Sequence, residues 1–149
     1  MITIQKSRHN LAEIDLSLIK AAVKNTLAYL DQLEVDITIQ LTDDREIAEI
    51  NQSYRGEAKA TDVLSFNQDF TDPDTGHLYL GDILISIETA AEQAPDYDLS
   101  LDEEIAFLAI HGTLHLSGFD HYEPDEKEEM WKIQDKIFLM TIKQFQEKF

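Results

Sequence analysis

Hydrophobic and polar positions alternate strictly over VDITIQL (35–41). Val35, Ile37, Ile39 and Leu41 fall on one side, and Asp36, Thr38 and Gln40 on the other. A period of two predicts a strand with one buried face. Over residues 15–30 the period changes: Leu16, Ile19, Val23, Leu27 and Leu30 recur at helical spacing and predict an amphipathic helix. ITIQ (2–5) and DVLSF (62–66) predict two more strands, and LGDILIS (80–86) a buried strand that enters a helix near Ser86. DDREIAEINQSY (43–54) reads as a short helix with Asp43 or Asp44 as its N-cap. The polar segment NQDFTDPDTGH (67–77) reads as an exposed turn or loop.

SLDE (100–103) has the capping-box pattern, in which Ser100 and Glu103 satisfy each other's backbone amides. The helix it opens should run to Leu116 or Ser117, with Gly118 as its C-terminal cap. Pro124 suits the first position of a last helix, whose acidic start EPDEKEE (123–129) is most simply solvated. Phe138, Ile142, Phe145 and Phe149 form one stripe on that helix. The sum is an α+β fold, a single domain over residues 1–149, with about four strands and about five helices.

Composition narrows the class. The 149 residues suffice for one hydrophobic core, and 43% apolar with 28% charged residues is ordinary for a globular protein. The opening MITIQKSRHN has no apolar signal region, and the longest apolar run, IAFLAI (105–110), is far too short to cross a membrane. A cytoplasmic location is expected. The chain has no cysteine, so disulfides are excluded and any metal must be held by nitrogen and oxygen. The net charge of −18 should repel polyanions, which argues against general nucleic-acid binding through a basic surface.

The chemistry concentrates in HGTLHLSGFDH (111–121). His111, His115 and His121 follow the spacing H-x-x-x-H-x-x-G-x-x-H, the ligand arrangement of metzincin proteases. Helical residues four apart project side by side, so His111 and His115 can share one zinc ion. Gly118 can take a positive φ, turn the chain and deliver His121 as a third ligand. Three neutral nitrogens leave a position open for water. Asp120 suits either a fourth ligand or a partner that orients an imidazole. His9 and His77 show no partner in the sequence and read as surface residues. The protease pattern has a glutamate after its first histidine, whereas this chain has Gly112, which opens space above the metal or simply leaves the position without a base. Amide hydrolysis needs a proton for its leaving group, and Gly112 cannot supply it.

HGTLHLSGFDH resembles the signature of the YbeY family, bacterial metal-dependent endoribonucleases that act in ribosomal RNA maturation. INQSYR (50–55) with TDVLSF (61–66), and LGDILIS (80–86), are similar to further stretches of that family, so the resemblance extends from about Val35 to Ile137. It implies a single α+β domain with a mixed sheet and the metal site on a central helix. It makes His111, His115 and His121 the ligands of one Zn2+ per chain, and His111 and Arg55 catalytic. Where the family commonly has aspartate and proline after this arginine, the chain has Ala58 and Ala60, so a less rigid loop is expected. Arg55 and Lys59 form a small basic island, and a guanidinium matches phosphate oxygens in pairs. The residues alone leave a plain salt-bridge role for Arg55 equally open.

The expected function is a zinc-dependent endoribonuclease that prefers single strands and acts in ribosomal RNA maturation and ribosome quality control. Its expected partners are ribosomal RNA and ribosomal or assembly proteins, with neither DNA nor a membrane. Two alternatives remain: a zinc peptidase or amidase, and a non-catalytic assembly factor stabilised by zinc.

Overall fold

The computed structural model describes residues 1–6, 14–56, 61–119 and 123–147. Four strands form one mixed sheet: β1 (Ile2–Lys6), β2 (Val35–Thr42), β3 (Val63–Thr71) and β4 (Leu78–Ser86), in the order β1-β2-β4-β3. β1 and β4 both run parallel to β2, and β3 closes the edge antiparallel to β4. Among the described residues five α-helices accompany the sheet: α1 (Leu16–Tyr29), α2 (Asp44–Arg55), α3 (Ile87–Gln93), α4 (Leu101–Leu116) and α5 (Pro124–Glu147). A short 3-10 turn over Ala94–Tyr97, which the sequence pattern did not signal, absorbs Pro95 at its start.

The alternation in β2 sends Ile37, Ile39 and Leu41 into the principal core. Ile83 and Ile85 of β4 join them there, against Ile19, Val23 and Leu27 of α1 and Ile105, Leu108 and Ala109 of α4. Leu84, between those isoleucines, points to the opposite face and packs with Leu64 and with Ile47 of α2. Helices α1, α3 and α4 therefore cover one face of the sheet, and α2 covers part of the other. α1 also buries a second stripe, Leu18 and Ala22, against Ile110, Leu114, Met130, Ile137 and Phe138 of α4 and α5. Leu16, expected on the buried stripe, is exposed instead, because the second partner rotates α1 toward α5. Phe138 is buried, and Ile142 and Phe145 pack beside it as expected, while Phe149 lies outside the described residues.

Segment 67–77 departs from expectation. β3 continues through Thr71, and only the tip is a turn. There Asp74 donates its amide to Asp72 Oδ1 at 2.8 Å, and Gly76 donates to the Asp72 carbonyl at 2.8 Å. The extra strand residues are polar because this is an edge with one exposed side, and a register shift between Asn67 and Phe70 disrupts their alternation. His77 also differs: its Nδ1 lies 3.2 Å from Asp36 Oδ1, so it has an acidic partner from β2. His9 lies outside the described residues.

Candidate metal centre and its cleft

The capping box is present as read: Ser100 donates its amide to Glu103 Oε1 at 2.8 Å, and Glu103 donates back to Ser100 Oγ at 3.2 Å. That fixes where α4 begins. Its other end is fixed by a Schellman motif. Ser117 is the C-cap, and Gly118 follows it with φ +100°. The Gly118 amide donates to His115 O at 3.2 Å and the Phe119 amide to Leu114 O at 3.0 Å. No bulky residue takes that φ cheaply, which is why glycine stands one place beyond the cap.

This reversal serves His115. It brings the Phe119 carbonyl to 2.9 Å from His115 Nδ1. A carbonyl oxygen only accepts, so Nδ1 carries the hydrogen in this contact. His111 is set in the same way from another element. Its Nδ1 lies 3.1 Å from Oε1 of Gln134 on α5, a side chain only 1% exposed. Two imidazoles one helical turn apart, with ring centroids 6.0 Å apart, are thus each oriented by a contact at Nδ1. The donor set fits a borderline cation such as zinc. Among the described residues no group of three metal-ligating side chains forms; His121 and Asp120 lie outside them.

Gly112 has a structural explanation. A Cβ there would lie 2.8 Å from Ile83 Cγ2, so the glycine lets α4 sit close on β4. The position faces the sheet rather than the histidines. A glutamate at 112 has no room in this packing, and the absence of the protease base follows from it.

A cleft of about 190 Å³ opens beside His111, at the end of the sheet where β4 finishes and β3 begins. The Ser86 amide donates to the Asp62 carbonyl at 2.9 Å and ties those two strand ends together. Glu104 lines the cleft and is 2% exposed, and its Oε2 has no hydrogen-bond partner among the described residues. Burial first, and the nearby Asp62 carboxylate second, push the Glu104 carboxyl up to about 7. Glu104 was not among the candidate residues read from the sequence. The signal was present, since Glu104 lies seven residues before His111 and eleven before His115, within ~20° of each around the helix. Gln134 and the Phe119 carbonyl carried no comparable signal, because their roles arise from packing.

Arg55 is the last residue of α2, and Gly56 ends that helix with φ +73°. The Arg55 side chain, and Ala58, Lys59 and Ala60, lie outside the described residues. The structure therefore brings His111 and His115 together and leaves Arg55 and His121 unplaced relative to them. No helix among the described residues is long and apolar enough to cross a membrane.

Comparison with known proteins bears on the whole chain. A family model described as Endoribonuclease YbeY matches residues 1–141. The endoribonuclease YbeY of Persephonella marina is 46% identical over 127 residues, covering 84% of this chain and 82% of its own. That of Brevibacillus brevis is 35% identical over 151 residues, covering 92% and 95%. The solution structure of TM1509 from Thermotoga maritima matches with a TM-score of 0.66 at 25% identity, over 99% of this chain and 93% of that one. With the family model spanning nearly all of it and such relatives along most of their length, the chain belongs to the endoribonuclease YbeY family.

Proposed function

We propose that this chain is a zinc-dependent endoribonuclease that cleaves single-stranded segments of ribosomal RNA precursors in the cytoplasm. The observation that carries the metal half of this reading is the pair of oriented imidazoles, His111 on Gln134 and His115 on the Phe119 carbonyl. Each ring is held at Nδ1 by a different element, one by α5 and the other by the turn that ends α4. The ribonuclease half rests on family membership.

His111, His115 and His121 would hold the ion. Zinc, when bound, supplies a Lewis acid for a phosphoryl oxygen and lowers the pKa of water toward neutrality. The chain's own residues do the positioning. Gln134 and the Schellman turn hold both imidazoles before any ion arrives, which reduces the ordering cost of binding. Arg55 would pair with phosphate oxygens and stabilise the charge that develops on the phosphorus centre. The net charge of −18 rejects RNA at long range, so a basic ribosomal or assembly protein would present the strand. Peptidase activity is disfavoured by Gly112, whose packing on Ile83 excludes the missing base.

The test is elemental analysis of purified protein, followed by cleavage of unstructured RNA and peptide panels before and after chelation. Zinc near one per chain and chelator-sensitive RNA cleavage are expected. Peptide cleavage in place of RNA cleavage would overturn the reading.

A further inference from the structure

The cleft beside His111 contains more than a metal site needs. Its walls are aromatic: Phe107 and Trp131 lie with ring centroids 5.8 Å apart, and Tyr97 lines the cleft from the 3-10 turn. Trp131 remains 42% exposed although it borders a cavity, so part of its ring is open to a ligand. At the buried end sits Glu104, with an acceptor oxygen that nothing described in the fold satisfies. A buried unpaired carboxylate oxygen is costly, and folded proteins keep such groups where a ligand or water completes them. The volume of about 190 Å³ admits one flat heterocycle.

We infer that this cleft is a nucleobase subsite, which seats one base of a single-stranded nucleic acid against Trp131 and Phe107 and reads its Watson–Crick edge through Glu104. Unpaired bases are recognised by this combination of stacking on aromatic rings and hydrogen bonding at the base edge. A carboxylate accepts and does not donate. Among the bases, guanine alone presents two adjacent N–H donors, N1 and the 2-amino group, which match the two carboxylate oxygens. Adenine and cytosine offer an amino group next to a ring acceptor. Uracil offers one N–H between two carbonyls, which face a carboxylate unfavourably. The order guanine, then adenine and cytosine, then uracil follows. His111 lines the same cleft, so a seated base would place its own phosphate close to the metal ligands.

The inference rests on RNA as the substrate, but its test does not require cleavage. Trp131 is the chain's single tryptophan, so its fluorescence reports on this cleft alone. Guanosine, adenosine, cytidine and uridine should be titrated into the intact protein near pH 8, where the Glu104 carboxylate predominates. Saturable quenching is expected, with guanosine bound about 10-fold or more tightly than uridine, as for one good two-point base contact. Glu104→Gln keeps the side-chain shape and replaces one acceptor by a donor. It should reduce that ratio to within about twofold while melting as a folded protein. Uridine binding as tightly as guanosine in the wild type would overturn the inference, as would unchanged discrimination in Glu104→Gln. Absence of saturation with every nucleoside, in protein that still cleaves RNA, would overturn it and leave the nuclease reading standing. Guanosine-selective quenching in protein that cleaves no RNA would do the reverse.

Discussion

The sheet carries a cavity on each side of the chain's chemistry, and the two differ in kind. The face that α2 only partly covers holds a groove of about 690 Å³, lined by Gln5, Thr38, Gln40, Tyr79 and Asp82 among others. The cleft beside His111 holds about 190 Å³. In the groove, polar groups answer one another. Tyr79 donates its hydroxyl to Asp82 Oδ1 at 2.5 Å, and Thr38 lies 2.6 Å from the same hydroxyl. Gln68 Nε2 donates to Asp82 Oδ2 at 3.1 Å, and Gln40 Nε2 to Glu46 Oε1 at 2.9 Å. Burial first, then the acceptor Asp82, hold the Tyr79 phenol above its ordinary range, so it stays a donor. In the cleft, one carboxylate oxygen is unanswered among the described residues, and the His111 ring in its wall is held by Gln134. Size alone favours the groove as a binding site. Chemistry favours the cleft, because satisfied hydrogen bonds leave little to gain from a ligand.

The largest effect that separates the two regions should come from His115→Ala. Two remaining ligands rarely hold zinc, so most of the metal should be lost, together with chelator-sensitive cleavage. Elemental analysis checks this, and near-stoichiometric zinc would count against the ligand set. Arg55→Lys should come next. Lysine keeps the charge but loses the planar fork, and losing one transition-state contact costs on the order of 10²-fold in rate. Zinc content should stay unchanged. Equal cleavage rates at saturating RNA would remove the role assigned to Arg55.

Gln134→Leu sharpens the comparison directly. It leaves every proposed ligand in place and removes only the acceptor for His111 Nδ1, so zinc affinity should fall about 10- to 100-fold. Gln68→Leu, a similar change in the groove, should leave zinc affinity and cleavage within about twofold, because only a pairing with Asp82 is lost there. If the two variants behave alike, the distinction between cleft and groove fails. Gly118→Val should weaken zinc by about 10-fold through the same logic, since strain at φ +100° displaces the Phe119 carbonyl from His115.

Much of this architecture was legible in the chain because local rules and global packing agree. VDITIQL alternates, and its isoleucines enter the core. SLDE forms its capping box, and Gly118 turns the chain where the spacing required it. The misreadings came where a tertiary neighbour decides. Asn67–Thr71 looked like loop because an edge strand needs no apolar alternation. Leu16 looked buried because nothing local announces that α5 will claim a second face of α1. Of the site, the histidine pair was visible from spacing, whereas Gln134 lies 23 residues from His111 and acts only once α5 packs on α4.

Glu104 separates the two regions through stability rather than through metal binding. Its folded carboxyl stands near 7, above the ordinary 4.5. The folded state therefore holds a proton that the unfolded chain has released. Its contribution to stability is intact below about pH 4.5 and is lost as pH rises through 7. In metal-free protein, Glu104→Gln should match wild type near pH 5 and exceed it by about 2 kcal/mol above pH 8, as thermal or urea unfolding would show. An equal difference at both pH values would mean that Glu104 is not held in its neutral form.

The central claim is that the fold presets two imidazoles for a metal. The most direct test is long-range ¹H–¹⁵N NMR of the histidine rings in metal-free protein at neutral pH, followed by addition of zinc. The account predicts Nδ1–H at both His111 and His115, with the Nε2 resonances alone moving strongly when zinc is added. An Nε2–H tautomer at either residue before addition, or zinc shifts at Nδ1, would contradict it.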